Sequence, residues 1–309
     1  MSATLSPEQT AQALPYPMLA EYIRAVLMDP SVKVPPRIVA PLADGGSLFV
    51  MPASDQQVAI TKLITFVASN PQQGLPAIQG DVVIFHARTG RRLHILDGPT
   101  VTARRTAAVS LLAAMELAPV REGPMLIVGA GVQGKSHLEA FVQGLGVREV
   151  LIASRSDASA QSLVTYAHTL GVQARQVTKA DEALQECSLV ISCTSAQGVA
   201  LHGIPRQDAF IAAVGAFTPR MVEWAPQVCR HIAAQGQIVV DTRDADHEAG
   251  DLIQAQLEVS NFPSLADVVR GHAGPSCGRG PARQGPVLFK SCGWAGWDLA
   301  AARCMTRDR

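Results

Sequence analysis

Hydrophobic and polar positions change their spacing several times along this chain, and each change marks an element. Apolar residues recur three and four apart over 7–14 and 16–28, which predicts two helices closed by Pro30 and the Pro35-Pro36 pair. Short runs at 37–40, 47–51, 58–67, 81–86 and 91–96 alternate apolar with polar residues and are bounded by Gly, Pro and Asn. They predict a mostly antiparallel sheet. A helical spacing returns over 102–117 and stops before Pro119. Beyond it the rhythm is different: compact apolar runs at 125–128, 149–155, 189–193, 210–214 and 237–241 are separated by helix-sized intervals, including helices predicted over 137–145 and 158–170. That alternation predicts a parallel, doubly wound sheet. Residues 270–284 are rich in Gly, Pro and Arg and read as a loop or lid; a last strand, 287–290, and a last helix, 294–305, follow.

The first apolar run of the parallel region opens directly into Gly129-Ala130-Gly131-Val132-Gln133-Gly134, a GxGxxG turn followed by a helical stretch. Gly129 permits the tight turn, Gly131 clears space for a pyrophosphate, and Gly134 lets helix and strand pack closely. The helix N-terminus would hold the phosphates. The motif therefore predicts a dinucleotide cofactor. The next strand ends in Ser154-Arg155-Ser156, where an NAD site usually carries an acidic residue for the ribose hydroxyls. A guanidinium and hydroxyls suit a 2′-phosphate, so NADPH is favoured over NADH. Arg155 as a solvated strand-end cation, with Asp157 taking the ribose, is the alternative. Asp157 reads instead as the N-cap of the following helix.

Composition narrows the partners. The chain has 309 residues, 48% hydrophobic and 17% charged, with a formal net charge of zero. Length allows two substantial domains, and no basic block points to nucleic acid or an anionic membrane. The N-terminal residues lack the charged and apolar regions of a signal peptide, and no apolar stretch approaches spanning length, so a cytoplasmic location is expected. Six cysteines show neither CxxC pairs nor metal-ligand spacing and read as buried thiols. His247-Glu248 lacks the second His of a zinc motif, so no metal is assigned.

Three cations stand out in apolar or proline-bounded surroundings: Arg37 after Pro35-Pro36, Lys62 within Ile60-Thr61-Lys62-Leu63-Ile64, and Arg105 within Ala103-Arg104-Arg105-Thr106. Singly, each is better explained by a surface ion pair or a snorkelling side chain. Together they could hold one carboxylate. These residues, with Asn70-Pro71-Gln72-Gln73-Gly74-Leu75-Pro76, Leu96-Asp97-Gly98, the glycine turn, Ala213-Val214-Gly215-Ala216, Glu223, Val240-Asp241, Glu248-Ala249-Gly250-Asp251-Leu252 and Ser291-Cys292-Gly293-Trp294-Ala295, run in order over nearly the whole chain. The sequence thereby resembles the ornithine cyclodeaminase and mu-crystallin family.

The resemblance implies an α/β protein in which a Rossmann domain, 119–286, is inserted into a second α+β domain built from both chain ends, 1–118 and 287–309, that binds substrate and forms a homodimer. It implies that Arg37, Lys62 and Arg105 grip a substrate carboxylate, with Lys62 also a candidate for catalysis. The cofactor set becomes Thr106, Gly129, Gly131, Val132, Gln133, Gly134, Ser154, Arg155, Thr194 and Val214. Members of the family carry out cyclodeamination, alanine dehydrogenation or ketimine reduction, or bind a small hormone, so the fold is better determined than the reaction. Where cyclodeaminases carry an Asp after the segment matching Val214-Gly215-Ala216, this chain has Phe217, which cannot serve as a base. The reading is therefore NADPH-dependent reduction of the cyclic imino acids Δ1-pyrroline-2-carboxylate and Δ1-piperideine-2-carboxylate. An NAD-dependent ornithine or lysine cyclodeaminase and a non-catalytic NADPH and small-ligand binding protein are the alternatives. His86, at a strand end, reads as a surface residue rather than an acid.

Overall fold

The fold is that of a computed structural model, which describes residues 3–195, 197–271 and 285–307. The chain begins with β1 (Ala3–Thr4), α1 (Pro7–Ala13) and α2 (Tyr16–Met28), then forms β2 (Ile38–Pro41), β3 (Ser47–Ser54), β4 (Val58–Phe66), β5 (Ile78–His86) and β6 (Arg92–Asp97). The start of α1 is fixed by a capping box: Ser6 Oγ accepts from the Gln9 amide, and Gln9 returns the bond to the Ser6 amide. Strands β2 to β6 form an antiparallel sheet in sequence order, with β1 added parallel to β6. Along β4 burial alternates, so Val58, Ile60, Lys62 and Ile64 share the inner face. One of those four is a lysine.

Helix α3 (Gly98–Leu117) leads to β7 (Met125–Val128), α4 (Val132–Leu145), β8 (Glu149–Ala153), α5 (Asp157–Thr169), β9 (Gln173–Gln176), α6 (Ala180–Ala183), β10 (Leu189–Ser192), β11 (Gln197–Leu201), β12 (Phe210–Ala213), β13 (Val222–Trp224), α7 (Pro226–Gln235), β14 (Gln237–Val240), α8 (Gly250–Gln254), α9 (Leu265–Val269), β15 (Val287–Lys290) and α10 (Ala295–Thr306). Seven of these strands form an all-parallel sheet in the order β14-β15-β12-β10-β7-β8-β9. The inner strands β7, β10, β12 and β15 are buried along their whole length, as expected of a sheet covered on both faces. Strands β11 and β13 pair separately.

Two compact units result, residues 1–108 with 294–309, and residues 109–293. In the first, α10 packs on α2 and on the β3–β4 face, and Trp297, Leu299 and Ala300 are fully buried. The α/β class with a doubly wound parallel sheet and a second unit made from both chain ends agrees with the sequence. Two boundaries differ from the expected 118/119 and 286/287. The division falls within α3, whose continuous backbone serves both units. Strand β15 sits inside the parallel sheet, because its Val287–Lys290 run pairs with both β12 and β14. The cap of α5 is Ser156, not Asp157: Ser156 Oγ accepts from the Ser159 amide, and the Asp157 carboxylate accepts from Gln176. The expected loop at 270–284 lies almost wholly outside the described residues.

Candidate active site

In the first unit the inner face of β4 brings Lys62 against α10. Lys62 Nζ donates to Asp298 Oδ1 at 3.1 Å and lies 2.9 Å from Oδ2; Arg105 Nε, from α3, is 3.6 Å from Oδ1. Lys62 is 1% exposed, Asp298 is fully buried, and Arg105 is buried. Burial pushes the Lys62 ammonium down from 10.5 to about 8; Asp298 resists that fall, and the Arg105 and Arg37 guanidinium charges add to it. Arg37 reaches over the Phe49 ring, 5.9 Å from its centroid. Lys62 and Arg105 thus share the Asp298 carboxylate, and Arg37 is near enough for its charge to act on Lys62. Such a cluster suits an anionic, carboxylate-sized ligand.

Asp298 was not anticipated from sequence, although a signal existed. It is the lone acid between Trp297 and Leu299-Ala300-Ala301-Ala302, as Lys62 is a lone cation in an apolar strand. Taken together, an isolated charge in each of two apolar elements points to a buried pair.

The second unit builds a different site at the ends of β7, β8 and β10. Gly129, Gly131, Ser154, Arg155, Thr194 and Ser195 line one cleft of about 800 Å³. Gly129 has φ +116°, and a Cβ there would stand 2.6 Å from the Cys193 carbonyl oxygen; a Cβ on Gly134 would stand 2.1 Å from the Gly129 oxygen. Both glycines are therefore demanded by the protein's own packing. Gly131 is different, because a Cβ there would meet nothing within 4 Å. The backbone is bare beside open space, and α4 starts at that point with no side chain capping its first turn. Val132, in that turn, is 71% exposed. An uncapped helix end, a bare glycine and an exposed valine fit a pyrophosphate-bearing dinucleotide. Arg155 extends over the same cleft, its guanidinium donating to Ser195 Oγ at 3.0 Å.

Of the remaining cofactor candidates, Gln133 and Gly134 lie in the first turn of α4, and Val214 follows β12 with its amide donating to Ser192 O at 2.9 Å. Thr106 belongs to the first unit, where its hydroxyl donates to Thr102 O. The structure thus gathers the three cations in one unit and, apart from Thr106, the cofactor candidates in the other. Phe217 packs against the core of the second unit. His86 stays at the β5–β6 turn, where Nδ1 accepts from the Thr89 amide at 3.3 Å. Of the cysteines, 187, 193, 229, 292 and 304 are free thiols, all buried but the half-buried Cys193; Cys277 is outside the described residues. Among the described residues no helix is long and apolar enough to cross a membrane.

The model of the ornithine cyclodeaminase/mu-crystallin family matches residues 9–309. The chain belongs to that family. Within it, the Delta(1)-pyrroline-2-carboxylate reductase 2 of Burkholderia ambifaria is 35% identical over 96% of this chain and 92% of its own length. The Delta(1)-pyrroline-2-carboxylate/Delta(1)-piperideine-2-carboxylate reductase of Azospirillum brasilense is 34% identical over 95% of this chain and 92% of its own. Among solved structures, the Thermococcus litoralis Delta(1)-pyrroline-2-carboxylate reductase, in complex with NADH and L-proline, superposes with a TM-score of 0.85 over 99% of this chain and 96% of that one, at 23% identity. The resemblance inferred from the motifs and the family membership agree, and the shared fold includes both units.

Proposed function

We propose that the protein reduces cyclic ketimines, Δ1-pyrroline-2-carboxylate to L-proline and Δ1-piperideine-2-carboxylate to L-pipecolate, with NADPH as the preferred donor. What carries the reading is the cation cluster, Lys62 and Arg105 on a buried Asp298 with Arg37 close enough to act on Lys62, in a chain that aligns almost end to end with reductases of these acids. A reduced nicotinamide, when bound, supplies the hydride that reaches C2 of the imine. The residues of this chain do the rest. The three cations hold and orient the ring carboxylate, and their charge makes the imine carbon more electrophilic. Reduction also takes up a proton at the ring nitrogen. Lys62, with its pKa near 8, holds one at Nζ near neutrality, and Asp298 keeps it there.

In the cofactor site, Gly129 to Gly134 receive the pyrophosphate, and Ser154 and Arg155 the 2′-phosphate, with Thr106, Thr194 and Val214 completing the set. Phe217 supports reduction over cyclodeamination, since a phenyl ring, here half-buried against the core, cannot take a proton from a substrate ammonium. A homodimer is part of the same reading. It is supported by an apolar row on the outer face of the six-stranded sheet, where Ile38, Val50 and Leu63 lie in register and Ile38 and Leu63 are 61% and 46% exposed.

The test is the loss of NADPH absorbance with each cyclic imine, run in parallel with NADH. Steady turnover with an imine and a higher kcat/KM with NADPH are expected. Ammonia release from ornithine or lysine with catalytic NAD, without imine reduction, would replace this reading by a cyclodeaminase. Saturable ligand binding without turnover would replace it by a binding protein.

A further inference from the structure

Beneath the ends of β10 and β12 lies a buried set of charges that the proposed chemistry does not use. Glu223, on β13, is fully buried. Its Oε1 accepts from the Thr194 amide at 2.7 Å; its Oε2 accepts from the Gly215 amide at 2.8 Å and from Ser192 Oγ at 3.2 Å. Thr194 and Gly215 lie just beyond two neighbouring parallel strands, paired up to Ser192 and Ala213. The last ladder bond between them is Val214 N–H to Ser192 O. Past that bond the Glu223 carboxylate bridges the two chains.

The bridge is shaped for this residue. A Cβ on Gly215 would stand 2.4 Å from Glu223 Oε1 and 2.6 Å from the Thr194 carbonyl oxygen, so the glycine leaves room for the carboxylate. Behind it, Asp251 Oδ1 accepts from the Glu223 and Trp224 amides at 2.6 and 3.0 Å, and Asp251 Oδ2 lies 2.8 Å from Lys290 Nζ. Trp224 Nε1 donates to Ser192 Oγ at 2.9 Å. Asp251 and Lys290 are fully buried. Two acids and one lysine in a dry interior are an expensive way to stabilise a fold, because well-packed apolar residues generally do as well or better. What charge gives here, and apolar packing cannot, is two acceptors aimed at two backbone N–H groups. In open α/β sheets, ligands bind outside these carboxyl strand ends.

We propose that Glu223 is a positioning residue for the nicotinamide half of the cofactor: by bracing the Thr194 and Gly215 turns it preforms the backbone against which that half is held. The proposal rests on the dinucleotide reading of the second unit. The adenosine half is assigned to the β8 end, at Ser154 and Arg155, so loosening the β10 and β12 turns affects one half of the ligand and spares the other.

The test is Glu223→Gln. The amide keeps the size but offers one acceptor and one donor, so in either orientation one of the two backbone N–H groups meets an NH2 group. A buried donor left unsatisfied makes the expected effect a loss of about tenfold or more in affinity for NADPH. Adenosine 2′,5′-bisphosphate, which carries no nicotinamide, should bind the variant as it binds the wild type. The fluorescence enhancement of bound NADPH should fall, and kcat should drop with little change in KM for the imine. Equal weakening of NADPH and the bisphosphate would reduce Glu223 to a structural role, and unchanged NADPH affinity and fluorescence would overturn the proposal. Should the variant fail to fold, amide hydrogen exchange on the wild type decides. Protection at Thr194 and Gly215 in the free protein supports the brace, and loop-like exchange at both refutes it. A wild type that binds neither NADPH nor NADH removes the dinucleotide reading and this proposal with it.

Discussion

Replacing Asp298 by Asn should move the pH profile of the reaction, and the structure says in which direction. Even with Asp298 beside it, Lys62 is lowered from 10.5 to about 8, a net bias against the charged form of about 3 kcal/mol. Asp298 stands 2.9–3.1 Å from Nζ and opposes burial, Arg105 and Arg37. An opposite charge at that range raises an ammonium pKa by roughly 1–3 units, so its removal should bring Lys62 to roughly 5–7. The sign follows. In the wild type kcat/KM for imine reduction falls as pH rises through about 8, where Lys62 loses its proton. In the variant that fall comes earlier, and near pH 7 the loss runs from about twofold, for a Lys62 pKa of about 7, to about ninetyfold, for one of about 5. The assay is kcat/KM against pH with saturating NADPH, beside a thermal melt showing that the variant is folded. A folded Asp298→Asn enzyme whose profile coincides with the wild type would refute both the proton-holding role of Lys62 and the pairing argument.

Arg155→Ala should erode the preference for NADPH over NADH, read as the ratio of the two kcat/KM values; an unaltered ratio means that the cation tethered to Ser195 does not meet a 2′-phosphate. Gly131→Ala and Gly134→Ala should separate cofactor binding from folding. Alanine at 131 meets open space, so cofactor affinity should fall while Tm holds, whereas at 134 it overlaps the Gly129 carbonyl and should lower stability by about 1–3 kcal/mol. Buried His137 donates from Nδ1 to Gln133 O and accepts at Nε2 from Ser110, and burial lowers its pKa from 6.5 to about 4. The unfolded chain takes up that proton first, so stability should decline as pH falls from 6.5 to about 4, by about 3 kcal/mol in all. Urea midpoints of wild type and His137→Gln across that window should converge at the acid end; parallel curves would show that His137 is not held neutral.

Much of the fold was legible because its periods were clean. The buried parallel strands appeared as short apolar runs, and the spacing of α2 followed its buried face, Leu19, Ile23, Val26 and Leu27. What escaped was short or polar. Strand β9 reads Gln-Ala-Arg-Gln at a sheet edge, and β1 is two residues long, so neither carries a hydrophobic period. Helix α4 begins at Val132 rather than 137, because the glycine turn that signals the ligand also obscures the helix start. The cations were visible as isolated charges in apolar surroundings. Their counter-charge was not, because Asp298 lies 236 positions from Lys62 and only the packing of α10 on β4 brings them together. Glu223 and Asp251 entered only as pieces of the family resemblance and Lys290 only as a strand end; that the three form one buried set was not legible, since long-range pairs leave no local period.

The place of β15 in the sheet has a consequence for how the protein is made. The strand at 287–290 is inserted between β12 and β14, and the first unit closes only when α10, 295–306, fills its core. Neither unit can be completed from the part of the chain that leaves the ribosome first. Until residues 287–306 are released, β12 and β14 each present an unpaired edge, and the inner face of β3 and β4 lacks its cover. A chain stopped before residue 287 would therefore be left with two unfinished cores, and folding can be decided only once residues 287–306 have been made.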